Sequence, residues 1–413
     1  MSVVLLSAAA REANPYIELL GDGLAQAGIA ALLIQEPGEE GLPAAARQAD
    51  LVHLHWLELW GRPPYASLAK LAGWGAPGRG LRRWLEPALN SAPAFARRRQ
   101  RFLERFFAAL EAYQARGGRV VYTVHNLAQH EGEGGQIELT AMRRMLTLAD
   151  GLHVHAAYMA GEVQRILDGG AGRPWPAPAA APALGSPVPR TGKPAPLVAV
   201  IPHGHYIDAY PNTVSRVAAR RALDLPQSVH RSPCTAYLFL GLIRPYKGLE
   251  ELLPAFRSLP DPAARLLVAG RPRPAGYAAR LAAQAASDPR VLWHPQFVPD
   301  HDVQRWMNAA DAVVLPYRQI TTSGAAMLAW SFGKPVIAPA LPAFIEPMRD
   351  APFLGLLYDP ADPHGLAEAL QQAAHIDWQS HRAPILAWAR QFDWPGIGRQ
   401  FAAFYQQLRS ASR

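Results

Sequence analysis

Residues 236–256 read AYLFLGLIRPYKGLEELLPAF, and residues 315–339 read LPYRQITTSGAAMLAWSFGKPVIAP. In the first stretch the apolar run Tyr237 to Leu240 has the length of a buried strand and breaks at Gly241. Arg244 and Lys247 follow, just before a helical pattern with apolar Leu249, Leu252, Leu253 and Phe256. A glycine turn, two cations and a helix N-terminus together neutralise phosphate charge and present backbone N–H groups to it. Taken alone, the same turn also fits a solvated basic loop. In the second stretch Asp311 to Pro316 reads as a short strand, Ala325 to Phe332 as a helix stopped by Gly333, and Pro335 to Pro339 as the next strand. Thr321, Thr322, Ser323 and Gly324 thus fall at a helix N-terminus, where they either cap it or leave its N–H ends open to a phosphate.

Outward from these stretches, strand and helix signals alternate along both halves of the chain. The first half offers strands at 3–6, 30–34, 51–55, 119–124, 151–155 and 197–202. The second offers strands near 237, 265–269, 291–294, 312–315 and 335–338, with helices between. This is the pattern of an α/β fold with two doubly wound, Rossmann-like domains facing a cleft. At 413 residues the chain exceeds what one core serves. The expected division is a first domain over 1–210, a second over 211–390, and a last helix, 391–413, crossing back to the first. Residues 169–196, rich in Pro, Ala and Gly, read as a flexible loop of the first domain.

The net charge of +8 points to an acidic partner. Ten arginines lie between Arg79 and Arg119 against Glu86, Glu104 and Glu111, and from Phe95 onward aromatic residues recur at helical spacing beside them. Such a helix either packs on its own domain or attaches to an anionic membrane surface, and residues 79–119 are the expected membrane contact. No nucleic-acid module is present in the sequence, so nucleic acid is not expected as a partner. The single cysteine, Cys234, fits a reducing compartment. No apolar run of 18 residues occurs and MSVVLLSAAA lacks a basic start, so the expectation is a cytoplasmic protein, peripheral at the inner face of the cell membrane.

With these motifs placed, the chain resembles the glycosyl transferases group 1 superfamily, whose members share the GT-B fold. The resemblance covers 197–408 and rests on GLIRPYKG, LLVAGRP, HPQFVPDHDVQRWMNAADAVVLPY, SGAAMLAWSFGKPVIAP and FDWPGIGRQFAAFY. DLVHLHWLE at 50–58, YTVHNLAQHE at 122–131 and IPHGHY at 201–206 are similar to a bacterial exopolysaccharide subgroup. The resemblance implies hexose transfer from a GDP- or UDP-linked sugar to a lipid-linked or saccharide acceptor. It implies donor contacts at Gly241, Arg244, Lys247, Gly270, Arg271, Phe297, Val298, Thr321, Thr322, Ser323 and Gly324. On the opposite wall it implies His125 facing the donor sugar. His55, Trp56, Asn126, His203 and His205 lie at or just after strand ends, which in an open α/β domain border the ligand crevice, and are the acceptor or cleft candidates.

Two departures bear on mechanism. Retaining members carry two glutamates spaced E-x7-E, and here those places are Ile320 and Leu328. The usual paired glycines of the first loop are replaced by SAAAREANPY. An inverting reaction needs a base for the acceptor hydroxyl, and His125, Glu58 and Glu131 have suitable chemistry. No DxD-like pair is evident, so neither a metal nor another cofactor is expected. The histidines that end strands lack a recognised metal-ligand spacing. A nucleotide-sugar 2-epimerase on the same fold and a non-catalytic sugar-nucleotide-binding scaffold stand as the alternatives.

Overall fold

The computed structural model describes residues 1–7, 14–35, 41–57, 93–126, 136–169, 194–225, 236–273 and 275–410. The first sheet contains β1 (Ser2–Ser7), β2 (Ala30–Ile34), β3 (Leu51–His55), β4 (Arg119–Thr123), β5 (Gly151–Val154) and β6 (Leu197–Val200). Its order is β2-β1-β3-β4-β5-β6, with every pair parallel. The second sheet contains β7 (Ala236–Leu240), β8 (Arg265–Ala269), β9 (Val291–His294), β10 (Ala312–Val314), β11 (Val336–Pro339) and β12 (Gly355–Tyr358). It too is wholly parallel, in the order β12-β11-β10-β7-β8-β9. The sequence-based expectation of two Rossmann-like domains is met.

The crossovers of the first sheet are α1 (Tyr16–Gln26), α2 (Ala44–Gln48), α3 (Pro93–Ala115), α4 (Gln136–Leu148) and α5 (Ala157–Leu167). The second half of the chain adds α6 (Arg216–Ala222) before its sheet, the crossovers α7 (Leu249–Arg257), α8 (Ala275–Ala286), α9 (Asp300–Ala309), α10 (Gly324–Ser331) and α11 (Pro342–Arg349), and after the last strand α12 (Gly365–Ala373), α13 (Trp378–Ala389) and α14 (Trp394–Ser410). Strands buried on both faces need apolar runs, and LVHLH and AYLFL are buried at every position. Helix α6 joins the second sheet through the buried carboxylate of Asp311, which accepts from Arg216, from Arg220 at 2.6 Å and from the Ala236 amide at 3.1 Å.

Helix α14 returns to the first domain and lies against α1, burying Trp394, Ile397, Phe401, Phe404, Tyr405 and Leu408 with Leu5, Ile17, Leu20 and Leu24. The backbones meet at glycine, since a Cβ on Gly398 would overlap the Gly23 carbonyl.

The aromatic face of α3 is settled by packing. Leu103, Phe106, Phe107 and Leu110 are buried in the first domain's core, so that face is not available to a membrane. Arg97, Arg101 and Arg105 form an exposed row on the solvent side of the same helix. The arginines at 79, 82 and 83, and the loop expected at 169–196 apart from its first and last residues, lie outside the described residues. Among the described residues no helix is long and apolar enough to cross a membrane.

Candidate active site

The carboxyl ends of the two sheets face each other, and the candidate residues gather there. On the second domain, β7 ends at Gly241, whose amide donates to the Ala269 carbonyl at 3.0 Å. Gly270 approaches so closely that a Cβ would overlap the Gly241 carbonyl, and its φ of 152° suits glycine. The pairing of β7 and β8 continues past the strands, with the Ile243 amide donating to the Arg271 carbonyl (3.0 Å) and the Arg273 amide to the Ile243 carbonyl (2.8 Å). This extension fixes Arg244 at the start of a single 3-10 turn, Pro245–Lys247. The turn folds Lys247 back, its Nζ 3.1 Å from where a Gly241 Cβ would stand and 5.2 Å from the centre of the Tyr317 ring.

Among the described residues neither Arg244 nor Lys247 has a carboxylate partner, and the buried Arg244 Nε has no hydrogen-bond partner. The nearby acids are engaged elsewhere, because Arg318 pairs with Glu250 at 2.7 Å and Glu251 at 2.6 Å. Burial and the Arg244 charge push the Lys247 ammonium down to about 8. An uncompensated pair of cations in a half-buried turn is a site prepared for an anion.

Helix α10 completes this wall. Ser323 caps it, its Oγ accepting from the Ala326 amide at 3.1 Å. Thr322 Oγ1 donates to the His125 carbonyl across the cleft at 3.3 Å, and the Thr321 carbonyl accepts from the Tyr158 hydroxyl. The two threonines thus bridge the domains at the N-terminus of α10, the positive end of its dipole. Val298 is buried in the core, whereas Phe297 is 46 % exposed beyond β9. Ile320 and Leu328 pack against the second domain's core, so side chains at the E-x7-E positions serve packing.

The opposite wall is built of histidines in two ranks. Register sets His53 beside Val121 and Thr123 beside His153, and hydrogen bonds across this stagger link His53, Thr123 and His153 into one rank over β3, β4 and β5. One pleat further on come His55, His125 and His155. Hydrogen bonding assigns the protons of the first rank. The Ile201 carbonyl can only accept, so His153 donates from Nε2 at 2.9 Å, and its Nδ1 accepts from the Thr123 hydroxyl at 2.9 Å. That hydroxyl accepts from His53 Nε2 at 2.7 Å, and His53 Nδ1 accepts from the Tyr405 hydroxyl of α14 at 2.7 Å. The chain of donors runs one way and requires both rings neutral. Burial enforces this, holding His153 down to about 4 and His53 well below the ordinary imidazole range.

The second rank borders the cleft. His55 Nδ1 and His125 Nε2 share a hydrogen bond at 3.1 Å, and Trp56 stacks on His125 with centroids 4.1 Å apart and planes 6° apart. Both histidines are held neutral by burial and by neighbouring imidazoles. His155 is 7 % exposed, and neither of its ring nitrogens has a hydrogen-bond partner among the described residues. Tyr16, at the start of α1, packs within 6 Å of the rings of His55, Trp56, His125, His155, His203 and Trp394. Asn126 continues the segment after His125 and is half-buried. His203 donates from Nδ1 to the Gly204 carbonyl at 2.7 Å, and a Cβ on Gly324 would stand 3.7 Å from its Nε2.

His205 lies apart from this cluster, its amide donating to the Phe392 carbonyl and its carbonyl accepting from Trp394 Nε1. It belongs to the junction between the domains. Glu58 and Glu131 lie outside the described residues. Among the described residues no group of three or more His, Cys, Asp or Glu is arranged to hold a metal ion. Sequence reasoning missed Tyr16, His153, His155, Tyr405 and Glu346. The second H-x-H, GLHVH at 151–155, repeats the LVHLH pattern of 51–55 and was the available signal for two of them.

The family model of the glycosyl transferases group 1 matches residues 235–375. A GDP-mannose:glycolipid 4-beta-D-mannosyltransferase of Xanthomonas campestris pv. campestris is 28 % identical over 328 residues, covering 79 % of this chain and 70 % of that protein. A D-inositol 3-phosphate glycosyltransferase of Nocardioides sp. is 32 % identical over 216 residues, 48 % of this chain and 46 % of its own. Among solved structures, sucrose-phosphate synthase from Thermosynechococcus elongatus superposes with a TM-score of 0.63 over 100 % of both chains at 18 % identity. Anabaena Alr3699/HepE, in complex with UDP-glucose, does so with a TM-score of 0.63 over 98 % of this chain and 100 % of its own, at 16 % identity. With the second sheet matched by the family, the whole fold shared with these structures and sugar transferases as relatives along most of its length, the chain is a glycosyltransferase of the GT-B fold whose residues 235–375 match the glycosyl transferases group 1.

Proposed function

We propose that the protein transfers mannose from GDP-mannose to a glycolipid acceptor with inversion at the anomeric carbon, in bacterial exopolysaccharide or glycolipid synthesis. The observation that carries this reading is the pairing across one cleft of the uncompensated cations Arg244 and Lys247 with the neutral His55 and His125. In the reaction the acceptor oxygen attacks C1, the bond from C1 to the diphosphate oxygen breaks, and GDP departs with the electron pair. Its developing charge is met by Arg244, Lys247 and the α10 N-terminus, so the leaving group is stabilised by protein groups rather than a divalent cation. The acceptor proton passes to His125, and the bond to His55 lets the pair share it. A buried neutral imidazole is a weak base, so proton transfer follows as the acceptor oxygen gains positive charge in the transition state.

The choice of mannose and of a glycolipid rests on the 28 % identical relative, whose name specifies a β-mannosyl product from GDP-mannose. Formation of a β-linkage from an α-linked donor is inversion, in keeping with apolar Ile320 and Leu328 where retaining members carry glutamates. The exposed arginine row of α3 supports attachment to an anionic cytoplasmic membrane surface, where a glycolipid resides. The test incubates the protein with a panel of nucleotide sugars and octyl β-D-glucoside, following nucleotide release, product mass and the one-bond C1–H1 coupling of the product. GDP released from GDP-mannose only with acceptor, and a β-linked product, are expected. A changed sugar without acceptor indicates an epimerase, and binding without either indicates a scaffold. Lys247→Ala abolishes turnover with the fold intact, and unchanged activity would sink the phosphate role.

A further inference from the structure

Glu346, on α11 of the second domain, reaches across the cleft. Its Oε1 accepts from the Ala157 amide at 2.8 Å and its Oε2 from the Tyr158 amide at 3.1 Å, the first two amides of α5 in the first domain. Helix α5 has no cap of its own, because Ala156 occupies the N-cap position and offers no side-chain acceptor. A carboxylate 189 positions after Ala157 therefore completes this helix, and it is charge-matched to the positive end of the helix dipole. Among the described residues Glu346 has no ion-pair partner, so the α5 amides are what hold it. The same helix start carries Tyr158, whose hydroxyl donates to the Thr321 carbonyl at the head of the donor loop. One residue before the N-cap stands His155, the end of the second histidine rank. Beside it the Thr322 hydroxyl donates to the His125 carbonyl.

We propose that Glu346 is a positioning residue for sugar transfer: by capping α5 from the opposite domain it holds the histidine wall at a fixed distance from the donor cradle. The junction between the domains lies elsewhere, at Tyr206 against Ser331 and at His205 against Phe392 and Trp394. Glu346, Tyr158 and Thr322 tie the far side of the cleft, and only Glu346 contributes a charge to that tie. Without it the two walls separate, the donor still meets Arg244 and Lys247, and the acceptor side no longer meets the anomeric carbon.

The inference rests on the transferase reading for its kinetic arm and is independent of it in its structural arm. Glu346→Ala is compared with the double variant Glu346→Ala/Ala156→Asp, in which an aspartate at the N-cap completes α5 from within its own domain. Expected for Glu346→Ala is a fall in kcat of about tenfold or more with GDP-mannose and octyl β-D-glucoside, with donor KM changed less than about threefold. Amide exchange at Ala157 and Tyr158 rises by about tenfold or more, and X-ray scattering shows an enlarged radius of gyration. In the double variant the exchange protection returns, while kcat and the radius do not. A double variant that regains turnover overturns the proposal, because capping alone was then the role of Glu346; so does a single variant within twofold of the parent kcat. If the parent protein is inert towards GDP-mannose, the donor assignment fails, and scattering and exchange still decide the positioning role. An unchanged radius in Glu346→Ala then overturns it.

Discussion

Acidification should unfold the first domain well above the pH at which carboxylates titrate, because its core contains imidazoles that cannot charge. His153 sits at about 4 in the folded protein against an ordinary value of 6.5. Between those values the unfolded state binds the proton and the folded state does not, so stability falls as pH drops through that window and levels off once the folded ring titrates. Going from pH 7 to pH 5, His153 alone removes ~2 kcal/mol. His53 and His55 are equally buried and held well below their ordinary range, so they act in the same direction. The loss from His153 alone is already a sizeable part of the stability of an ordinary domain, roughly 5–15 kcal/mol. Because two domains need not unfold together, the assay is urea-dependent amide exchange in β3 and β4, corrected for the intrinsic rate at each pH. The expected slope near pH 5.5 exceeds that for uptake of about one proton, or ~1 kcal/mol per pH unit, which His153 alone would give. His153→Asn should reduce the uptake by about one proton. Stability that is flat between pH 7 and 5, or a slope unmoved by His153→Asn, refutes the neutral-rank account.

Two further outcomes test the two walls separately. Since Lys247 lies at about 8 without ligand and a bound diphosphate favours its charged form, GDP affinity should be full below that pH. Above it, affinity should decline by up to about tenfold per pH unit, measured by calorimetry, and a profile flat to pH 9.5 contradicts the contact. Tyr405→Phe leaves His53 Nδ1 buried without a donor, which costs ~1–3 kcal/mol by urea unfolding and spares GDP binding; stability equal to the parent protein would show that the relay does not hold α14 in place.

The donor wall was legible in the sequence because its parts are local. Strand, glycine, two cations and helix lie within 236–256, and the cap at Ser323 lies beside the helix it caps. The histidine wall was legible only in pieces. That His53 and His55 share a face follows from strand geometry, but their meeting with His125, His153 and His155 depends on the order β3-β4-β5 and its register. Tyr405 meets His53 from 352 positions away and Glu346 meets Ala157 from 189, distances at which side-chain spacing carries no signal. The periodicity of α3 marked a face that must be covered and was silent on whether protein or lipid covers it.

The return of α14 sets an order of events during synthesis. The apolar covering that α14 gives the first sheet, from Trp394 to Leu408, is synthesised after both sheets, and the hydrogen-bonded rank ends on Tyr405 within it. The usual sequence, in which the leading domain matures while the trailing one is still being made, is thus closed to this protein. The second domain can complete itself first, and the first domain, with its row of uncharged imidazoles, waits uncovered until α14 has been made. Loss of α14 would leave the histidine wall unfinished while the turn of Arg244 and Lys247, built from residues within 236–339, stood intact.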